Sequence, residues 1–204
     1  MAMSKQRAQA LFGDMLGLEQ GGAKHIKAGT YWALVNKVEE FTTRSKQSAI
    51  KAYFTVVHPV QDGAGNKVGD EGYAGHFKGE EFTVAFFFGD RFARDFSPFV
   101  IAGLGLTPQE AKQLKGDALT DTFGDIVREA GSQEPGCFDG MAVMQVRGEA
   151  NLGKDKDGKE KTYINERFDR EVNISELVDK LDEDDIVRFF GSLETFTELI
   201  EQES

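Results

Sequence analysis

Ala49-Ile-Lys-Ala-Tyr-Phe-Thr-Val-Val-His58 alternates with a period of two. In an extended chain Ile50, Ala52, Phe54 and Val56 fall on one side and Lys51, Tyr53 and Thr55 on the other, because successive side chains of a strand point to opposite faces. Pro59 reads as the end of this strand, since proline offers no N–H to a ladder. Upstream, residues 30 to 41 read as a first strand, joined to the second by the polar link 42 to 48. Downstream, Asp62-Gly-Ala-Gly-Asn66 is a turn by composition. A third extended region is expected from about Lys67 to Phe77, with more β-like sequence at Phe82 to Phe88.

The pattern then changes. Phe92, Phe96, Phe99 and Val100 recur at helical spacing within residues 90 to 102. Thr107-Pro108-Gln109-Glu110 has the cap and first-position proline of a helix start. Asp117 to Ala130 reads as a further helix stopped by Gly131. Strands return at Met141 to Ala150 and at Thr162 to about Val172, joined by a turn around Asp157-Gly158. Residues 4 to 18 have the spacing of a short amphipathic helix, and Ser175 onward reads as two amphipathic helices broken near Gly191. The expected organisation is therefore an N-terminal arm (1–28), a β body with a helical insert (29–174) and an acidic helical segment (175–204). Three strands, a helical insert and two strands are the order of a five-stranded OB-type Greek-key barrel, mainly β with α. Such a barrel binds oligomers across strands 2 and 3 and the loops joining strands 1–2 and 4–5.

The net charge of −11 over 204 residues argues against a simple basic nucleic-acid binder, but it is unevenly spread. Residues 175–204 hold ten acids and two bases, a balance of −8, and residues 1–174 hold 25 acids and 22 bases, a balance of −3. The single cysteine, Cys137, forms no disulfide within the chain. No apolar run approaches a membrane span and no secretory h-region opens the chain, so a cytoplasmic location is expected.

Phe41 to Gln61 contains no acid, although the chain holds 35. It carries Arg44 and Lys46 in the first loop and Lys51 beside Tyr53 on the solvent face of strand 2. Hydroxyl, amide and cationic groups of this kind contact phosphates without reading sequence, and a ring beside a cation suits a stacked base. The strand 4–5 loop adds Lys154, Lys156, Lys159 and Lys161, interleaved with acids and flanked by Arg147, Arg167 and Arg170. Trp32, Tyr31 and Tyr163 are weaker stacking candidates, because each serves equally well as core. Ordinary solvated loops, with Tyr53 packed under the insert, are the competing reading of the same residues.

No catalytic constellation stands out. His25, His58 and His76 lie far apart, and none has metal-ligand spacing with Cys137. Asp155-Lys-Asp157-Gly158 lacks the ligands of a calcium loop, and Asp182 to Asp185 reads as a solvated helix junction. Neither a cofactor nor a metal is expected.

The motifs Gly29-Thr-Tyr-Trp-Ala-Leu-Val35, Ser45-Lys-Gln-Ser-Ala-Ile-Lys-Ala-Tyr-Phe-Thr-Val56, Gly140-Met-Ala-Val-Met-Gln-Val146, the lysine-rich turn and Tyr163-Ile-Asn165 span about residues 29 to 173. Together they resemble phage-encoded single-stranded-DNA-binding proteins of the OB-fold type. The resemblance implies a non-enzymatic protein that coats exposed single-stranded DNA during replication or recombination. It departs at the C-terminus, where apolar helices and Glu201-Gln-Glu-Ser204 replace a flexible acidic tail with a terminal aromatic. That segment could pack on its own barrel, form a homodimer contact or recruit replication or recombination proteins. The rival expectation is a phage structural or protein-interaction β-protein with no nucleic-acid role.

Overall fold

The computed structural model describes residues 25–43, 46–106, 109–110, 142–155 and 157–202. The helices expected at 4–18 and 117–130 lie outside these residues. Five strands form one antiparallel sheet: β1 Gly29–Thr42, β2 Ser48–Asp62, β3 Glu81–Phe87, β4 Val143–Lys154 and β5 Glu160–Glu171. Their order is β3-β2-β1-β4-β5. Helix α1, Phe92–Gly103, follows β3, and a 3-10 turn at Ile174–Leu177 leads into α2, Glu183–Phe190, and α3, Leu193–Gln202. Among the described residues no helix is long and apolar enough to cross a membrane.

The alternation in β2 is realised: Ile50, Ala52, Phe54 and Val56 are all fully buried. They face an inner core shared with Val35 of β1, Phe82 and Phe86 of β3, Met144 and Val146 of β4, and Phe96, Phe99 and Val100 of α1. Phe168 of β5 lies 5.8 Å from the Phe86 ring of β3 and 5.4 Å from Phe99 of α1. The sheet therefore curls until its two edge strands share a core, with α1 packed between them. Among the described residues β3 and β5 form no ladder with each other.

Two expectations are corrected. Pro59 does not end β2, which runs on to Asp62. Beyond Thr55, β2 has no β3 partner, and the register against β1 slips between Thr30 and Tyr31; an edge with a bulge is where a proline fits a sheet. The stretch from Lys67 to Phe77 is a series of turns rather than a strand, and β3 begins only at Glu81. The buried Asp62 carboxylate draws this loop in, accepting hydrogen bonds from the Ala64, Asn66 and Ala74 amides and the Asn66 side chain. Farther along, the Lys27 amide donates to His76 Nε2, which leaves Nδ1 to donate to Glu80 at 2.8 Å.

The hydrogen bond from the Ala74 amide, helped by those from Asn66 and Ala64, holds the Asp62 carboxyl below its usual value of 3.8 against the opposing effect of burial. A carboxyl depressed on folding stabilises the fold above its unfolded value, and that contribution is lost as pH falls through the folded value. The melting temperature is thus expected to fall on acidification below about pH 3.8. Asp62→Asn should lower it at pH 7 and flatten this acid limb; calorimetry across pH 2–7 checks both, and an unchanged limb removes Asp62 as its source.

Candidate nucleic-acid interface

The outer face of the sheet divides in two. Around Trp32, Leu34, Val57 and Val143 it is covered by a second core made by Leu177, Leu181, Ile186, Phe190 and Phe196 of the C-terminal segment. Of the alternatives open for that segment, packing on its own sheet is the one the structure displays. Partly buried Lys78 pairs with Asp185 at 2.5 Å, and Arg170 grips Glu176 through both its terminal nitrogens.

The other half of this face is uncovered by those helices, and the strand register arranges it in three rows. Lys37, Tyr53 and Thr83 lie side by side across β1, β2 and β3; Glu39, Lys51 and Ala85 form the next row; Phe41, Ala49 and Phe87 form the last. The small Ala49 lets the two phenylalanine rings meet above it, 6.5 Å apart, with Phe87 45% exposed. Lys37 and Lys51 each hold their ammonium 4.6 Å from the centre of the Tyr53 ring, and Lys51 also lies 5.8 Å from Phe41. Glu39 accepts a 2.8 Å bond from Lys37 and a close one from the Tyr53 hydroxyl.

These contacts set the protonation states. Burial pushes the Tyr53 phenol well above its usual 10.0, and the bond to Glu39 pushes the same way. Burial alone would raise Glu39, but the bonds from Lys37 and Tyr53 and the two lysine charges outweigh it and hold the carboxyl low. Burial lowers Lys51, against the attraction of Glu39. The patch therefore gathers a phenol held protonated, a carboxyl held ionised and two lysines around aromatic surface. Cations over ring faces are attracted electrostatically, which accounts for the two lysines gathered on the Tyr53 ring.

The loop joining β1 and β2 continues from the phenylalanine row. Lys46 sits there, exposed, with a left-handed backbone (φ 61°) and its amide bonded to the Thr43 carbonyl. A non-glycine residue held in this region costs stability and marks sites where the surroundings impose the conformation. Arg44 lies outside the described residues.

The lysine hairpin is elsewhere. β4 runs antiparallel to β1 with Gly148 opposite Gly29, so its tip extends past the start of β1, whereas the Lys46 loop follows its end. The expected pair of loops thus flanks the sheet from opposite ends of β1. Lys154, Lys159 and Lys161 are exposed, and Lys156 lies outside the described residues. The flanking arginines are engaged: Arg147 with Asp169, Arg167 with Glu149, and Arg170 with Glu176. Of the weaker stacking candidates, Tyr31 is core, fully buried and with its phenol pushed up to about 12 by burial. Trp32 packs against His58 within the covered half. Tyr163 remains 39% exposed.

Reasoning on the sequence missed Lys37, Glu39, Phe41 and Phe87. Among the described residues no group of three or more histidine, cysteine or carboxylate side chains is placed to hold a metal ion. No protein-family model matches the chain, and no curated protein matches it.

Proposed function

We propose that the protein binds single-stranded DNA on the three-row face of β1, β2 and β3, without catalysing a reaction, in support of phage replication or recombination. The observation that carries this reading is Tyr53 flanked by Lys37 and Lys51, each 4.6 Å from its ring, on the half of the outer face that the C-terminal helices leave open. The strand order supports it: β4 lies beside β1, followed by β2 and β3, as expected of a Greek key. With α1 following β3, this order is compatible with an OB-type reading, in which the ligand face includes strands 2 and 3. The lysine hairpin serves as a second phosphate-holding arm.

Fluorescence anisotropy with a labelled oligonucleotide over a range of salt tests the reading. Affinity should favour single strands over duplex, because paired bases hide their faces. Tyr53→Ala should cost about 1–3 kcal/mol of binding with the salt slope kept, and Tyr53→Phe should bind nearly as well as the parent. Each lysine that loses a phosphate, Lys37→Ala and Lys51→Ala first, should flatten the slope of log affinity against log salt by about 0.7. Equal affinity for duplex and single strand, or lysine variants that keep affinity and slope, would sink the proposal.

A second reading rests on Val178, Val187 and Leu193, which are 50%, 51% and 45% exposed on the acidic helical segment. It assigns that segment to contact with another protein. It gains if the chain ignores oligonucleotides while Val187→Glu, folded, abolishes association with a basic partner.

A further inference from the structure

We propose that the β4–β5 ribbon is a wedge whose Leu152 enters the first base step of a duplex at its junction with a bound single strand. This rests on the single-strand reading above and adds an activity to it. The register defines the ribbon: β1 pairs with β4 from Val143 to Gly148, and from Glu149 to Lys154 the only strand partner among the described residues is β5. The inner core ends at Ile164. Beyond it Leu152, opposite Thr162, carries the apolar surface onward, and at 85% exposure it is the barest large apolar side chain among the described residues.

A lone exposed leucine is ordinary. Here it stands on a braced support. The Asp155 carboxylate accepts from the Asp157 and Lys159 amides, and the Asp155 amide donates to the Lys159 carbonyl, so the tip is closed by its own bonds. On the opposite face Tyr163 lies over Gly153, where an added Cβ would come within 3.0 Å of the ring. The Tyr163 hydroxyl donates to the Lys154 carbonyl, and Lys161 lies 5.4 Å from its ring centre. Glu160 faces Lys154 across the ribbon, yet neither Lys154, Lys159 nor Lys161 forms an ion pair among the described residues. Apolar side chains that enter a base step unstack it, and the cost is offset by contacts around it. Lys154 on the Leu152 side of the ribbon, with Lys159 and Lys161 farther round the tip, supplies such contacts.

The test uses a duplex with a single-stranded overhang and 2-aminopurine at the first paired position. The parent protein should raise its fluorescence severalfold, with no rise when the probe sits deep in the duplex. Leu152→Ala should abolish the rise while affinity for the overhang stays within about threefold, a small change in binding free energy. Leu152→Phe should restore it. A rise retained by Leu152→Ala, an equal rise deep in the duplex, or no rise from a parent that binds the overhang overturns the wedge and leaves the single-strand reading standing. Failure to bind the overhang at all overturns both.

Discussion

A chain cut before Ser175 is expected to lose its cooperative melting transition. The cut removes Leu177, Leu181, Ile186, Phe190 and Phe196, and returns Leu34, Val57, Val143 and Val172 on the sheet side to water. Each large apolar side chain that is fully re-exposed costs about 1.5–3 kcal/mol. Four of them amount to roughly the whole stability of an ordinary domain, about 5–15 kcal/mol. The two ion pairs lost with the segment, Lys78 with Asp185 and Arg170 with Glu176, add little by comparison, because pairs with access to water contribute at most about 1 kcal/mol. Calorimetry and circular dichroism read the result. A truncated chain that melts at the parent temperature refutes the structural role. If that chain also binds single strands more tightly at low salt, the segment acts instead as a Coulombic competitor for the lysines.

Phe54→Ala should destabilise the fold by about 3–5 kcal/mol, the usual cost of emptying a buried aromatic site. The Phe54 ring is fully buried and stacks on Phe82 of β3 at 4.9 Å. It lies 6.0 Å from both Phe99 of α1 and Phe168 of β5. One side chain thus joins four elements, and its loss removes ring contacts that contribute about 0.5–1.5 kcal/mol per pair beyond the area they bury. Phe54→Leu keeps much of the volume and should cost less. Urea denaturation measures both, and an alanine variant within 1 kcal/mol of the parent would contradict the central position of this ring.

The inner core was readable because its signals are local. The period of two in β2 identified all four of its inward residues from Ile50 to Val56, and the phenylalanine spacing placed α1. The outward placement of Tyr53 and Lys51 was readable for the same reason. The neighbours of Tyr53 were not, because Lys37 stands sixteen positions away and the rows exist only once a register is chosen. Glu39 shows what this conceals. The stretch from Phe41 to Gln61 is acid-free along the chain, yet a carboxylate stands directly across from Lys51. The turns from Lys67 to Phe77 escaped because a carboxylate outside the stretch, Asp62, organises the loop that holds them.

Asn36 stands outside the alternation of β1. The register passes from Val35 opposite Phe54 to Lys37 opposite Tyr53, leaving Asn36 as the extra residue, tied to Thr55 by a 2.8 Å side-chain bond. A strand shifted by one residue turns every following side chain over, yet Val35 inward and Lys37 outward already alternate as adjacent residues would. Loss of the single codon for Asn36 would therefore leave Lys37, Glu39 and Phe41 outward and Val38 inward, whereas drawing Asn36 into a straight ladder opposite Tyr53 would turn all four over. Over a lineage, position 36 should thus drift in identity and even be dropped, a pattern of inheritance in which one letter can go missing without changing the phase of those that follow.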